Sequence, residues 1–228
     1  MGPREWVEKH VMGDGDLLCY GNLFDELEEA GAGVFWEELK RAAAPYVAGG
    51  RDRARAAQAR VDDLIRTLLA RDARFGYAPP FCHKGCANCC HQLVYCTLEE
   101  ARAIHAHCLE RAIAIDYGKL QRQLRHVDVD AAGDHTGTTT WDDQPDADRR
   151  CAFLGPDRAC AIWPVRPLVC RAQLAEGTDA HCTPHNGEPD PEAAGITYVE
   201  VNYLISAVFT IHRDSVKKTM GRLLLDLR

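Results

Sequence analysis

The 228-residue chain lacks any apolar stretch long enough for a signal-peptide core or a membrane span. Its first 20 residues carry Glu5, Glu8, Asp14 and Asp16, so secretion and membrane insertion have no support and a cytoplasmic location is expected. Myristoylation is not expected either, because Pro3 follows Gly2 and Val7 stands where the motif needs Ser or Thr. There is no excess of positive charge. Lys and Arg number 27 against 34 Asp and Glu, a net of −7, which removes a sequence-wide reason to bind nucleic acid or an anionic membrane. We find no internal repeat, Gly-rich phosphate loop, nucleophile elbow or dinucleotide fingerprint. With 46% apolar and 27% charged residues, the composition excludes disorder and collagen-like repetition.

What is abundant is cysteine, 11 in all and clustered mid-chain. In a reducing cytosol such clusters are metal ligands or catalytic thiols more often than disulfides. Around them the pattern is helical. Val34, Phe35, Leu39, Ala42, Ala43 and Tyr46 recur at helical spacing before Gly49-Gly50. Ala54, Ala57, Val61, Leu64, Ile65, Leu68 and Leu69 form a stripe within 51–75, closed by Gly76 and Pro79-Pro80. Thr97-Leu-Glu-Glu100 reads as a capping box opening a helix that runs to about Val127 with a break near Gly118. The Asp-, Gly- and Thr-rich stretch 128–150 reads as a solvated loop. Short segments 151–154 and 159–162 flank a turn at Gly155-Pro-Asp-Arg158 and predict a hairpin. Beyond the Pro/Gly-rich connection 183–195, residues 198–209 and 216–227 are again helical in spacing.

The expected fold is mainly α, with helices surrounding an irregular cysteine-rich metal-binding centre and at most a short β-hairpin. Three regions follow: N-terminal helices (1–80), a cysteine-cluster region (81–182) and C-terminal helices (183–228), packed as one domain.

The first cysteine group is Cys82-x3-Cys86-x2-Cys89-Cys90. On a helix these four would lie at about 0°, 40°, 340° and 80°, on one arc. As a loop, Gly85 lets the chain wrap around one centre. Adjacent thiols diverge, so Cys89 and Cys90 are expected to serve different centres. Cys82, Cys86 and Cys89 resemble the cluster motif of radical S-adenosylmethionine enzymes, but the strand–helix alternation of those partial barrels is missing. The second group is Cys151-x8-Cys160-x9-Cys170, with Cys182 beyond it and Pro164 and Pro167 stiffening the passage.

The order of motifs, with Cys151-x-Phe-Leu, Cys160-x-Ile and Arg166-Pro-x-x-Cys170-Arg171, resembles the YkgJ-like cysteine-cluster family of zinc- or iron-chelating proteins, over roughly 81–182. Trp163, where such proteins usually have Tyr, and the long insert 128–150 depart from that pattern. The resemblance implies that Cys82, Cys86, Cys89, Cys90, Cys151, Cys160, Cys170 and Cys182 are metal-associated. One branch is similar to flagellin-lysine N-methylases, which implies an iron–sulfur cluster. Eight cysteines suit a four-iron cluster with a second centre, a larger shared cluster, or two tetrahedral zincs; the tight first group favours iron–sulfur over Zn2+.

Arg166 and Arg171 flank Cys170 and are candidate cofactor-binding cations, able to offset thiolate charge or orient an anionic substrate, or to form structural ion pairs. Cys19, Cys96 and Cys108 read as core thiols. His83, His91, His181 and His185 adjoin cysteines but rank below them as ligands. Asp142, Asp143, Asp146 and Asp148 lack the glycine and closing glutamate of a calcium loop. Three readings stand: a cluster-dependent modifying enzyme, a zinc-stabilised module that contacts a protein partner, and an iron or zinc handling protein. No catalytic residue is nominated, and the partner, protein or small molecule, is unnamed.

Overall fold

A computed structural model describes residues 52–80, 82–83, 85–129, 135–137, 141, 144–175, 195–196, 198, 201–202, 204–205, 208 and 218–228. The expected helix within 34–47 and Cys19 lie outside the described residues.

The first helix, α1 (Arg53–Arg74), buries the stripe Ala54, Ala57, Val61, Ile65 and Leu68. It ends in a Schellman turn with Gly76 at φ +84°. There the Tyr77 amide donates to the Asp72 carbonyl at 3.2 Å and the Gly76 amide to Ala73 at 3.2 Å. Next, α2 (Leu98–Glu110) starts from the predicted capping box: the Glu100 amide donates to Thr97 Oγ1 and the Thr97 amide to the Glu100 carboxylate at 2.8 Å. The expected break near Gly118 falls earlier. After Glu110 the chain makes a second Schellman turn, with the Ile113 amide on the Cys108 carbonyl (2.9 Å) and Ala112 at φ 53°. An alanine in the left-handed position conceals this stop from a reader looking for glycine. Ile113 packs on the core beside Cys108, which compensates the backbone strain. Asp116 then caps α3 (Tyr117–Leu124) by accepting the Lys119 amide at 2.8 Å, and Gly118 sits in its first turn.

The stretch read as a solvated loop is partly folded. It holds β1 (Asp128–Val129) paired antiparallel with β2 (His135–Gly137), and α4 (Asp146–Arg149). Trp141 is buried and donates its indole N–H to the His91 carbonyl at 3.1 Å. The hairpin predicted at 151–162 is a tight turn closed by a single bridge, Leu154 to Cys160. A 3-10 turn (Trp163–Val165) leads through Pro167 into α5 (Leu168–Ala172). Then β3 (Leu174–Ala175) pairs antiparallel with β4 (Gly195–Ile196). Val201, Asn202, Leu204, Ile205 and Val208 are helical, and α6 (Met220–Asp226), capped by Thr219, closes the chain. The molecule is mainly helical, with strands of two or three residues.

Two apolar clusters hold these elements. In one, Ala57, Val61, Ile65 and Leu68 of α1 meet Leu168 of α5 and Tyr198, Val201, Leu204, Ile205 and Val208. In the other, Ala101, Ile104 and Cys108 of α2 and Leu120 of α3 meet Phe153, Ile162, Val165 and Met220, Leu223 and Leu224 of α6. Glu100, fully buried, joins them: its second carboxylate oxygen accepts the Leu168 amide of α5 at 2.7 Å.

Two outcomes follow for chemical unfolding of the metal-loaded protein. Glu100→Ala strands two buried amides and is expected to cost about 3 kcal/mol. Ala112→Gly removes the left-handed strain and is expected to add about 1 kcal/mol; a loss of stability there would show that the turn is not strained.

Candidate metal centre

Cys82, His83 and Gly85 to Ala87 are not helical, so the single-arc arrangement does not apply. One 3-10 turn, Asn88–His91, carries Cys89 and Cys90. Gly85 at φ +93° reverses the chain just before Cys86, and the Cys86 amide donates to the His83 carbonyl at 3.0 Å. The second group is brought in by the backbone: the Cys151 amide donates to the Cys90 carbonyl at 2.7 Å. The bridged turn then presents Cys160, and α5 presents Cys170.

As a result, Cys86, Cys89, Cys90, Cys151, Cys160 and Cys170 all line one cavity of about 120 Å³. Both adjacent thiols face it. Cys82 is exposed and its Sγ lies 3.8 Å from the Gln173 carbonyl. Cys182 lies outside the described residues. All nine described cysteines are free thiols, and Cys96 and Cys108 are buried in the core as expected. Among the described residues, no three His, Cys, Asp or Glu side chains are gathered tightly enough to hold one metal ion. The sulfurs surround a space.

Burial sets the protonation of these groups. It pushes the Cys151 thiol up to about 11 and raises Cys170, Cys160 and Cys82 as well. Cys89 is the exception: a hydrogen bond from Cys90 holds it at about 7, and the same bond drives Cys90 strongly upward. The cavity therefore favours neutral thiols until a cation arrives, and a thiophilic metal is the species that exchanges for those protons. The donor set fits such a group.

The two candidate arginines part company. Arg166 lines the cavity and stacks its guanidinium 3.8 Å from the Trp163 ring centroid. Arg171 is buried and committed to structure: it pairs with Asp62 and donates to the carbonyls of Arg166 (3.0 Å) and Pro164 (2.9 Å). Its charge still favours the thiolate of Cys160. His91 sits between the Asn88 carbonyl and Asp146, each at 3.3 Å, and His83 is exposed. His181 and His185, with Asp142 and Asp143, lie outside the described residues. Asp146 and Asp148 form ion pairs with Arg149 and Arg122.

Residues 81–186 match the CxxCxxCC family. Its description is "Putative zinc- or iron-chelating domain", in agreement with the expected resemblance and with a metal-binding protein. No curated protein and no solved structure matches the chain. Among the described residues no helix is long and apolar enough to cross a membrane.

The thiol cavity also contains residues that sequence spacing did not single out. Arg158 lines it from the hairpin turn, and Leu93, Val94, Val169 and Met220 line it from other segments. No local motif marks them, because the walls assemble from segments distant in the chain.

The electrostatics predict an order of reactivity. In metal-free protein at pH 7.5, iodoacetamide is expected to alkylate Cys89 well before Cys90 or Cys151, with a rate that falls as the pH drops through about 7. Peptide mapping by mass spectrometry checks this; Cys90 labelled first would reverse the assignment of the bonded pair.

Proposed function

We propose that this chain is an iron–sulfur protein of a reducing compartment, the cytoplasm, whose centre is held by the cavity thiols with Cys82 and Cys182 completing the set. The observation that carries this reading is the convergence of six cysteines from two sequence-distant groups on one cavity. A water needs roughly 10–15 Å³ of such space, so 120 Å³ accommodates far more than one ion. Tetrahedral zinc, with Zn–S near 2.3 Å, draws its sulfurs to about 3.8 Å of one another. Cysteine-held iron–sulfur centres keep their ligands further apart around a larger body. Clustered cysteines serving as metal ligands suit a reducing location.

Such a centre supplies electron transfer or, at an iron without a cysteine ligand, a position for substrate. The protein's own residues prepare for it. Arg166, near Cys160, Cys89 and Cys170, lowers the cost of their ionisation. The hydrogen bond donated by the Cys151 amide to the Cys90 carbonyl ties the two groups together, and the one donated by the Leu168 amide to Glu100 sets the start of the helix that carries Cys170.

The test is elemental analysis with an absorption spectrum on protein purified without oxygen. About four or more irons with matching acid-labile sulfide per chain are expected, falling sharply in Cys151→Ser. One or two zincs without colour or sulfide would overturn the iron–sulfur reading in favour of a zinc-stabilised or zinc-handling protein.

A further inference from the structure

The lining of the thiol cavity is of two kinds. Beside the sulfurs stands an apolar and aromatic wall that includes Leu93, Val94, Ile162, Trp163 and Met220, and two guanidiniums, Arg158 and Arg166. No carboxylate is among the described lining residues. Arg158 spends one nitrogen on Asn88 Oδ1 at 3.4 Å. Arg166 is different: its Nε is buried without a hydrogen-bond partner, while its guanidinium carbon lies over the Trp163 ring, 3.8 Å from the centroid, in a residue still 49% exposed. A buried donor left unpaired carries the full cost of its desolvation. The neighbouring Arg171 is hydrogen-bonded to Asp62 and two carbonyls, whereas Asp62 acts on Arg166 only through its charge.

We propose that the Trp163–Arg166 corner of this cavity binds a small organic carboxylate with an apolar or aromatic body, held next to the metal centre. Arg166 offers the planar donor pair that matches a carboxylate, preoriented by its stack on Trp163. The aliphatic wall and the half-exposed Trp163 accept the body of the molecule. Inorganic phosphate would satisfy the arginine and leave that wall uncovered, so the combination selects an organic acid. The proposal rests on the reading of the cavity as a metal centre for the position of the ligand, and on Arg166 and Trp163 for its chemistry.

The experiment titrates 4-fluorobenzoate into protein purified without oxygen and follows the fluorine resonance by NMR. Saturable binding is expected, at least tenfold weaker in Arg166→Gln and at least tenfold weaker for the neutral 4-fluorobenzamide, with phosphate a poor competitor. Trp163→Leu, at a half-exposed position, is expected to weaken binding severalfold and serves if Arg166→Gln does not fold. Fluorine relaxation is expected to be faster in iron-containing protein than in the zinc-substituted form. Arg166-dependent binding without that enhancement would support the carboxylate site while counting against iron. Iron and sulfide present with no saturable binding, or binding indifferent to both substitutions, would overturn the carboxylate site and leave the metal reading intact.

Discussion

One buried carboxylate joins the halves of this molecule. Glu100 has no solvent to ionise into, and burial raises its pKa against the pull of its hydrogen bonds. It takes the Thr97 amide and hydroxyl on one oxygen and the Leu168 amide on the other. The first pair caps α2; the last begins the short helix that presents Cys170. A capping box is ordinarily a local device. Here its free acceptor is spent across 68 residues, so the start of α2 and the start of α5 are positioned as one object.

The cysteine region is built by the same logic, with backbone groups rather than side chains setting distances. Cys151 reaches Cys90 through the main chain, and the 151–162 turn and α5 follow from that anchor. Among the described residues the scaffold uses no disulfide. The thiols are left protonated by burial and crowded by one another, and the nearby cations are arginines that stay charged. Metal supplies the charge that fixed arginines supply only in part, which couples loading of the site to the stability of the irregular segments around it.

Much of this was legible from the sequence because it is local. Helix α1 has an uninterrupted stripe and a glycine stop, and Thr97 with Glu100 spells its own cap. The thiols nominated as ligands needed only spacing and motif order, and six of the eight meet at one cavity. What was hidden has physical reasons. The end of α2 rests on a left-handed alanine supported by Ile113, and alanine carries no turn signal. Trp141 looked solvated because its neighbours are polar, yet it closes over the Asn88–His91 turn. Arg166 and Arg171 are alike in sequence and opposite in environment, since five residues along a short helical passage place one against the thiols and the other against Asp62. The second oxygen of Glu100 had no visible partner, because Leu168 comes close only in the folded chain.

The bond between the Cys151 amide and the Cys90 carbonyl also orders events in time. About 60 residues separate the two, so a growing chain displays Cys82 to Cys90 long before their counterparts are synthesised. Closing so long a loop is entropically costly until α2 and α3 fold and shorten it. A metal captured by the early group alone would meet an incomplete set of sulfurs, whereas the finished fold delivers the late cysteines together. Bringing the two cysteine groups together therefore depends on the intervening helices having formed.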